Sequence, residues 1–476
     1  MNQNAPLVTV YITNHNYGRF IKQSIDSVLA QIFQDYEIII IDDGSKDNSF
    51  EVIDSYKQHP KINIIYQQNL GLNVTNNIAL RVARGKYIMR LDADDYLDKN
   101  ALLVMSNVLE QDDELGLVFP DYYMVDIDGN FLSLERRHSF DQGVTLFDQP
   151  AHGACTLVRR EFLLAVGGYN EGFSCQDGYD LWVRFVGKYR VTNVNLPLFY
   201  YRQHGSNLTR NENRILDTRS VIKQRYVDEY LNPLRTVAIL PVRGSKTEPG
   251  SFALEPLEDR LLIDWLIDQA LQSTRMVGVV ITSPDESIEA HVRARYESEP
   301  RVIYVTRSPE LARLNVGLIE TIKGVLTAPA VQALRPEAVL RMSIEFPFVT
   351  GRIMDDAVNT LCVFKGDSLI SVRPETSMFY QHNGQGLRSI LNQNRFTHLE
   401  REALYRNAGG LVLTDLNLLH DQSVLIGGKV GHIVIDQRAA HGVHSAFDLT
   451  VARFLATQSP TGQQPERAKL SLTTTK

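Results

Sequence analysis

Short apolar runs alternate with longer amphipathic stretches through the first half of the chain. Three runs rich in isoleucine, valine and tyrosine predict β-strands at residues 7–12, 37–41 and 62–66. Between the first two runs, apolar residues recur at helical spacing from Ile21 to Ile32. The run at 37–41 is almost continuously apolar, which is typical of a strand buried on both faces of a parallel sheet. Strands separated by helices in this way predict a right-handed, doubly wound α/β sheet.

A second alternating series follows a boundary near Pro233. A helix predicted from about Arg214 to Tyr230 ends there, because proline cannot continue a helix. Further strands are predicted at residues 236–242, 276–282, 302–305, 339–342 and 368–372, with helices at about 261–271 and 284–296. The sequence therefore predicts two doubly wound, Rossmann-like α/β domains at residues 1–233 and 234–456. Residues 457–476 are polar and lack periodicity, which predicts a disordered tail.

Composition narrows the class of protein. The 476 residues are 43% hydrophobic and 22% charged, and the net charge of −7 comes without a basic tract, so nucleic acid is not an expected partner. The widely spaced Cys155, Cys175 and Cys362 form no metal-ligand or disulfide pattern, which suits a reducing cytoplasm. We expect a cytoplasmic protein without a signal peptide or membrane span, so that any membrane contact is peripheral.

Acidic residues mark the end of one predicted strand. Asp92, Asp94 and Asp95 directly follow the apolar run at 85–91. Because alternate strand residues share a face, Asp92 and Asp94 are expected to point one way and Asp95 the other. Such a carboxylate pair suits Mg²⁺ or Mn²⁺ that also binds phosphate oxygens, although a solvated acidic turn is an alternative. The segments 13–16 and 42–43 also follow strands, and ligands of doubly wound sheets bind at those strand ends.

Four ordered motifs give this pattern a family resemblance. The segments Val10–Asn16, Ile41–Ser45, Arg90–Asp95 and Gln176–Arg184 resemble those of family 2 glycosyltransferases with the GT-A fold, over roughly residues 6–213. The resemblance implies hexosyl transfer, with inversion, from a nucleotide-diphosphate sugar to a hydroxyl of an acceptor. A UDP-sugar donor, a glycan or lipid-linked glycan acceptor and a role in building a bacterial surface glycan are the expectations.

The resemblance also implies roles for the residues on the donor side. Thr13 and His15 are candidate uridine contacts. Asp43 is expected to accept a hydrogen bond from an N–H of the base, and Asp42 is expected to cap the loop. In the acidic motif, Asp92 would contact the ribose or the metal, and Asp94 would ligate Mn²⁺ or Mg²⁺ directly.

The resemblance also bears on three more residues near the donor. His204, in the segment Tyr200–Asn207, would complete the metal shell, and Arg202 would pair with a phosphate. Asp95 is either part of the site or a structural helix cap, and both interpretations stay open.

Inversion requires a general base on the acceptor side. Family members usually carry a Glu-Asp pair just before Asp-Leu-Trp, whereas this chain reads Gln176-Asp177-Gly178-Tyr179-Asp180. Asp177 is the predicted base, and Asp180 is the second candidate. An acid that favours the helix dipole is an equally good interpretation of Asp180.

The second half of the chain resembles a different family. The segment Val237–Lys246 is similar to the start of CMP-sugar synthetases, a nucleotidyltransferase-like fold whose glycine-rich loop binds a triphosphate. The loop is shortened here, Ser251 replaces a lysine, and Gly442 and His444 replace metal-binding acids, leaving Asp448. We expect a degenerate domain that serves assembly, as a homo-oligomer interface, or acceptor docking. Two alternatives stay open: a bifunctional enzyme that also makes a CMP-sugar, and a nucleotide-sugar-binding scaffold without turnover.

Overall fold

The computed structural model describes residues 5–136, 153–173, 176–204, 212–245, 248, 250–313, 315–375, 379–382, 384, 386–389 and 404–458. The chain divides into two compact units between Asn232 and Pro233, next to the predicted boundary after residue 233. The last described helix ends at Thr457, the first residue of the tail predicted at 457–476, and residues 459–476 lie outside the described residues. Among the described helices, none is both long and apolar enough to cross a membrane.

The first unit is built on one nine-stranded sheet. Its strands are β1 (Val8–Asn14), β2 (Tyr36–Asp43), β3 (Ile62–Gln67), β4 (Tyr87–Asp92), β5 (Tyr96–Leu97), β6 (Leu115–Val125), β7 (Phe131–Glu135), β8 (Leu157–Arg159) and β9 (Arg190–Arg202). The spatial order is β3-β2-β1-β4-β8-β6-β9-β5, with β7 paired to β6. The four strands from β3 to β4 are parallel, as predicted. From β8 onward antiparallel pairs enter the sheet, and the apolar pattern alone does not predict that.

Helices cover both faces of this sheet. They are α1 (Ile21–Leu29), α2 (Ser49–Asp54), α3 (Leu72–Val82), α4 (Ala101–Glu110), α5 (Arg160–Ala165), α6 (Asp177–Val186) and α7 (Glu212–Tyr230). In β2, Ile38 and Ile40 belong to one hydrophobic core, whereas Ile39 and Ile41 belong to the core on the opposite face. The prediction of a central strand buried on both sides is therefore confirmed.

The second unit has its own sheet and core. Its strands are β10 (Thr236–Pro241), β11 (Pro256–Leu257), β12 (Arg260–Leu261), β13 (Met276–Ser283), β14 (Val302–Thr306), β15 (Ala338–Met342), β16 (Ser368–Glu375), β17 (Tyr380–His382), β18 (Leu387–Ser389), β19 (Leu404–Asp415) and β20 (Val430–Val434). Its helices are α8 (Leu262–Gln272), α9 (Glu286–Arg295), α10 (Leu318–Leu326), α11 (Pro329–Gln332), α12 (Gly351–Phe364), α13 (Leu416–Gln422) and α14 (Ala446–Thr457).

The sheet of the second unit is only half doubly wound. Its order is β14-β13-β10-β15-β19-β16-β20, and the four strands from β14 to β15 are parallel. Strand β19 runs antiparallel to both β15 and β16, a reversal that the predicted doubly wound, Rossmann-like pattern does not include. The physical reason is that a buried strand has the same apolar pattern in either direction.

Candidate active site

The predicted site residues of the first unit gather at one edge of its sheet. Strands β1, β2 and β4 all end there. The order in which successive strands are added to the sheet reverses between β1 and β4. Thr13 lies opposite Asp92 in the β1–β4 register, and Asn14 lies opposite Asp42 in the β1–β2 register. In open α/β sheets this position, beyond the carboxyl ends of the strands, is where ligands bind.

Asp43 and His15 shape the outer part of this edge. The two oxygens of Asp43 accept hydrogen bonds from Gln67 Nε2 at 2.7 Å and from the backbone N–H groups of Leu70 and Gly71 at 2.8 and 2.9 Å. His15 Nδ1 lies 2.8 Å from the carbonyl oxygen of Asp43. Asp43 therefore fixes the loop that follows β3, and its role toward a nucleobase stays a prediction.

The neighbouring Asp42 caps the loop after β2. Its carboxylate accepts bonds from the backbone N–H of Ser45 at 3.1 Å and from Asn14 Nδ2 at 2.7 Å. Gly44 has a φ of +74°, and a Cβ there would lie 2.7 Å from the backbone nitrogen of Asn69. The turn therefore requires glycine, and it brings the loops after β2 and β3 close together.

A turn directly after Asp92 sets the positions of the acidic side chains, in place of the alternation expected for a strand. Strand β4 ends at Asp92, and Asp95 N donates back to Asp92 O at 3.1 Å. Asp92 accepts a hydrogen bond from Thr13 Oγ1 at 3.2 Å. Asp94 lies beyond the strand, and its Oδ2 is 2.8 Å from His204 Nε2, with both side chains almost fully buried. The expected alternation thus fails after Asp92, and the structure brings together Asp94 and His204, two of the predicted metal ligands.

Asp95 and Arg202 hold the framework of the site. Asp95 is 1% exposed and accepts the backbone N–H of Arg202 at 2.9 Å. It is not a helix cap, because the next helix, α4, begins at Ala101. The guanidinium of Arg202 donates to the carbonyl oxygens of Asp94, Asp126 and Ile127 and to Gln23 Oε1. These buried bonds give Arg202 a positioning role, and its predicted contact with a phosphate stays a prediction.

The two candidate bases have different surroundings. Asp177 is the first residue of α6, and its Oδ2 lies 2.5 Å from Nη1 of Arg90, which also contacts Asp92. Asp180 instead pairs with Arg184 at 2.5 Å, and Arg184 also donates to the carbonyl oxygens of Val166 and Gly168. The structure therefore joins Asp177 to the acidic cluster and ties Asp180 to the turn after α5.

Sequence reasoning missed three residues of this site. Arg90 bridges Asp92 and Asp177, and the rings of Tyr17 and Phe20 lie 5.7 and 5.9 Å from the ring of His204. A signal for Arg90 was available, because a charged residue inside an otherwise apolar strand requires a buried partner of opposite charge.

Comparison with known proteins adds an independent observation. The model for the family "Glycosyl transferase family 2" matches residues 9–166. An uncharacterized glycosyltransferase of Haemophilus influenzae is 30% identical over 254 residues, which is 49% of this chain and 76% of that protein. The chain belongs to glycosyltransferase family 2.

Two longer relatives carry more specific names. The chondroitin synthase of Escherichia coli is 29% identical over 212 residues, covering 43% of this chain and 30% of that protein. The hyaluronan synthase of Pasteurella multocida is 31% identical over 208 residues, covering 43% of this chain and 21% of that protein. The match with this chain thus covers less than a third of the length of either synthase. The family match includes Thr13, Asp43, Asp92 and Asp94 and ends before Asp177.

The described side chains of this glycosyltransferase supply some, but not all, of the ligands that a divalent cation needs. Across the described residues, no three His, Cys, Asp or Glu side chains form a metal-binding group. Asp92 pairs with Arg90 instead of joining the Asp94–His204 pair. Mg²⁺ and Mn²⁺ are commonly held by one or two protein ligands together with phosphate oxygens and water, and imidazole is an acceptable ligand for Mn²⁺. Asp94 and His204 are therefore the residues that would hold the cation.

Electrostatics favour a cation at the same place. Burial raises the pKa of Asp92, and the nearby Asp94 and Asp177 raise it further, against the opposing effect of Arg90. Burial followed by Asp94 and Asp92 raises the pKa of Asp95 well above its usual range. The same carboxylates add to the effect of burial in raising the pKa of Tyr17. A bound cation would relieve this crowding of negative charge.

We expect Mn²⁺ affinity to fall steeply on acidification. The raised pKa of Asp92 means that it takes up a proton at a higher pH than an ordinary aspartate, and a cation then competes with that proton. Affinity should be greatest above the raised pKa and should be lost as the pH falls through it. Calorimetric titrations with Mn²⁺ at a series of falling pH values test this, with Asp92→Asn measured at each pH. Asp92→Asn should weaken the dependence, and a flat profile in the unmodified protein would contradict the interpretation.

Proposed function

We propose that the first unit transfers a hexosyl group from a nucleotide-diphosphate sugar to a hydroxyl of a glycan acceptor, with inversion and with Mn²⁺ or Mg²⁺. The observation that carries this proposal is the arrangement at the sheet edge. A buried Asp94–His204 pair lies there, and a separate carboxylate, Asp177, is joined to the same acidic cluster. The names of the chondroitin and hyaluronan synthases support a polysaccharide acceptor, and hence a role in making a surface glycan.

The donor would lie along the ends of β1, β2 and β4. Its nucleobase, uracil in our proposal, would meet His15 and Asp43, where the loops after β1, β2 and β3 come together. The ribose would reach Asp92 and Thr13, which already share a hydrogen bond. The diphosphate would then lie beside Asp94 and His204. A metal ion held by this pair would supply positive charge against the negative charge that develops on the leaving diphosphate.

Asp177 would act on the acceptor. The hydroxyl oxygen of the acceptor attacks the anomeric carbon from the side opposite the diphosphate. A new C–O bond forms as the bond between that carbon and the phosphate oxygen breaks. Asp177 accepts the proton of the hydroxyl, and the nucleoside diphosphate leaves with the bonding electron pair. Both carboxylates pair with an arginine, but the partner of Asp177, Arg90, also contacts Asp92, whereas the partner of Asp180, Arg184, binds the turn after α5.

We expect Asp94→Asn and His204→Gln each to weaken Mn²⁺-dependent binding of the UDP-sugar by at least about tenfold, since each removes one metal ligand. His291→Gln is a matched control, because His291 Nε2 also lies 2.8 Å from an aspartate oxygen, that of Asp264 in the second unit. Titration calorimetry with and without Mn²⁺ measures the effect. Unchanged affinity in both site variants would remove the metal assignment.

We expect Asp177→Asn to preserve donor affinity and to lower the transfer rate by at least about 10²-fold, the usual scale for loss of a general base. Asp180→Asn should instead lower thermal stability, because it breaks the buried pair with Arg184. Radiolabelled sugar transfer together with thermal unfolding separates the two. If Asp180→Asn alone lost transfer while keeping donor affinity, the base assignment would be wrong.

For the second unit we propose assembly or acceptor docking without CMP-sugar synthesis. Asp448, the remaining acid, accepts hydrogen bonds from His444 N at 3.1 Å and from Ser445 Oγ at 2.8 Å. Its own backbone N–H donates to Ser445 Oγ at the start of α14. These contacts are those of a helix cap, and Gly442 and His444 offer no carboxylate beside it.

We therefore expect no pyrophosphate release when the protein is incubated with CTP, Mg²⁺ and a panel of 2-keto sugar acids. A coupled phosphate assay measures this, with an active CMP-sugar synthetase as the positive control. Pyrophosphate release that depends on both CTP and a sugar acid would show that the protein is bifunctional.

A further inference from the structure

Arg90 is a buried cation at the centre of the acidic cluster. It lies on β4 between Met89 and Leu91, which are fully buried, and its own side chain is only 7% exposed. An arginine is rarely buried to this extent unless it is paired, because removing the charge from water is costly. Its position is therefore explained by its partners rather than by the hydrophobic core.

One guanidinium joins two carboxylates that come from distant parts of the chain. Nη1 of Arg90 donates to Asp177 Oδ2 at 2.5 Å, and Nη2 donates to Asp92 Oδ2 at 3.3 Å. Nε lies 3.0 Å from Asp92 Oδ1, but its N–H is poorly aligned, so this contact is an ion pair rather than a hydrogen bond. The planar group thus links the donor-side carboxylate to the acceptor-side carboxylate.

The surroundings of Arg90 leave its guanidinium little freedom to move. A Cβ at Gly153 would lie 2.6 Å from Nη2, so the chain at Gly153 approaches as closely as a glycine allows. A Cβ at Gly178 would lie 3.9 Å from the Cα of Gly153, which places the start of α6 beside the same segment. Gly153 therefore permits the close approach of its segment to the guanidinium of Arg90.

The two carboxylates keep the guanidinium of Arg90 charged. Burial by itself lowers the pKa of Arg90, but Asp92 and Asp177 outweigh this effect and raise it well above the usual range. The guanidinium therefore stays charged, and as a rigid fork it can fix the geometry of two carboxylates at once, which the point charge of a lysine cannot do.

We propose that Arg90 is a positioning residue for transfer, which holds the carboxylate of Asp177 at a fixed distance from Asp92 and acts through Asp177. This inference rests on the proposed role of Asp177 as the general base.

A kinetic double-mutant cycle tests the proposal in the full-length protein. We expect Arg90→Gln and Asp177→Asn each to lower kcat for transfer by at least about 10²-fold. The double variant should lie within about threefold of Asp177→Asn, because residues that act as a unit are not additive. Arg90→Lys should stay at least about tenfold below the unmodified protein, since it keeps the charge and loses the fork. Changes that the Arg90 substitutions cause in the KM of the sugar donor report separately on the contact between Arg90 and Asp92.

Two results would overturn the inference. One is an Arg90→Gln protein that transfers within about threefold of the unmodified rate, and the other is a double variant that is lower by the product of the single effects, about 10⁴-fold. If Arg90→Gln does not fold, the cycle is run with Arg90→Lys, for which the same non-additivity is expected and an additive result is equally decisive.

Arg184→Gln is the matched control for a merely structural effect. Arg184 also forms a buried 2.5 Å pair with an aspartate of α6, Asp180. We expect this variant to lose thermal stability while its kcat stays within about threefold of the unmodified rate. A loss of kcat equal to that of Arg90→Gln would contradict a specific role for Arg90.

Failure of the proposed function is recognisable separately. If the unmodified protein transferred no sugar, or if Asp177→Asn transferred normally, the assignment of the base would fail whatever the Arg90 variants did. If Asp177→Asn behaved as expected and only the Arg90 variants did not, the present inference alone would fail.

Discussion

Repulsion between carboxylates buried at the end of β4 is the constraint on which the candidate site depends. Asp92, Asp94 and Asp95 lie within four consecutive residues, and each is held by a different partner. Arg90 pairs with Asp92, His204 pairs with Asp94, and the backbone of Arg202 binds Asp95. Because like charges at this spacing raise one another's pKa, the arrangement requires hydrogen-bonding partners on several sides. The chain supplies them from β4, from the end of β9 and from the residues that follow β9.

The edge of the sheet could be predicted from sequence, and the direction of individual side chains could not. Parallel strands that alternate with helices must bring Thr13, Asp43 and Asp92 to one edge, and the structure confirms that placement. The strand period fails at Asp92, because the chain turns there and sends Asp94 toward His204. The turn brings Asp94 and Asp95 against His204 and Arg202, which lie more than a hundred positions away in the chain. Local periodicity carries no information about such contacts.

Arg202 illustrates the same limit at the level of function. From its position in a motif it was expected to bind phosphate, yet its guanidinium donates to three backbone carbonyl groups and packs over the rings of Phe20 and Tyr96. Sequence shows that a cation is present and does not show which acceptors surround it. The direction of β19 in the second unit could not be predicted from sequence for a related reason. Apolar residues buried between two layers show the same pattern in parallel and antiparallel strands.

The long separation between Asp94 and His204 has a consequence for the newly synthesised protein. These two residues are 110 positions apart, and Asp177 lies between them in the chain. The parallel strands that carry Thr13, Asp43 and Asp92 are complete early in translation. The proposed cation site, however, cannot form until β9 has been made and has docked beside β6. A ribosome-bound intermediate that contains only the early strands would therefore expose its crowded carboxylates without their later partner. The donor site of this enzyme should be among the last features of the unit to mature.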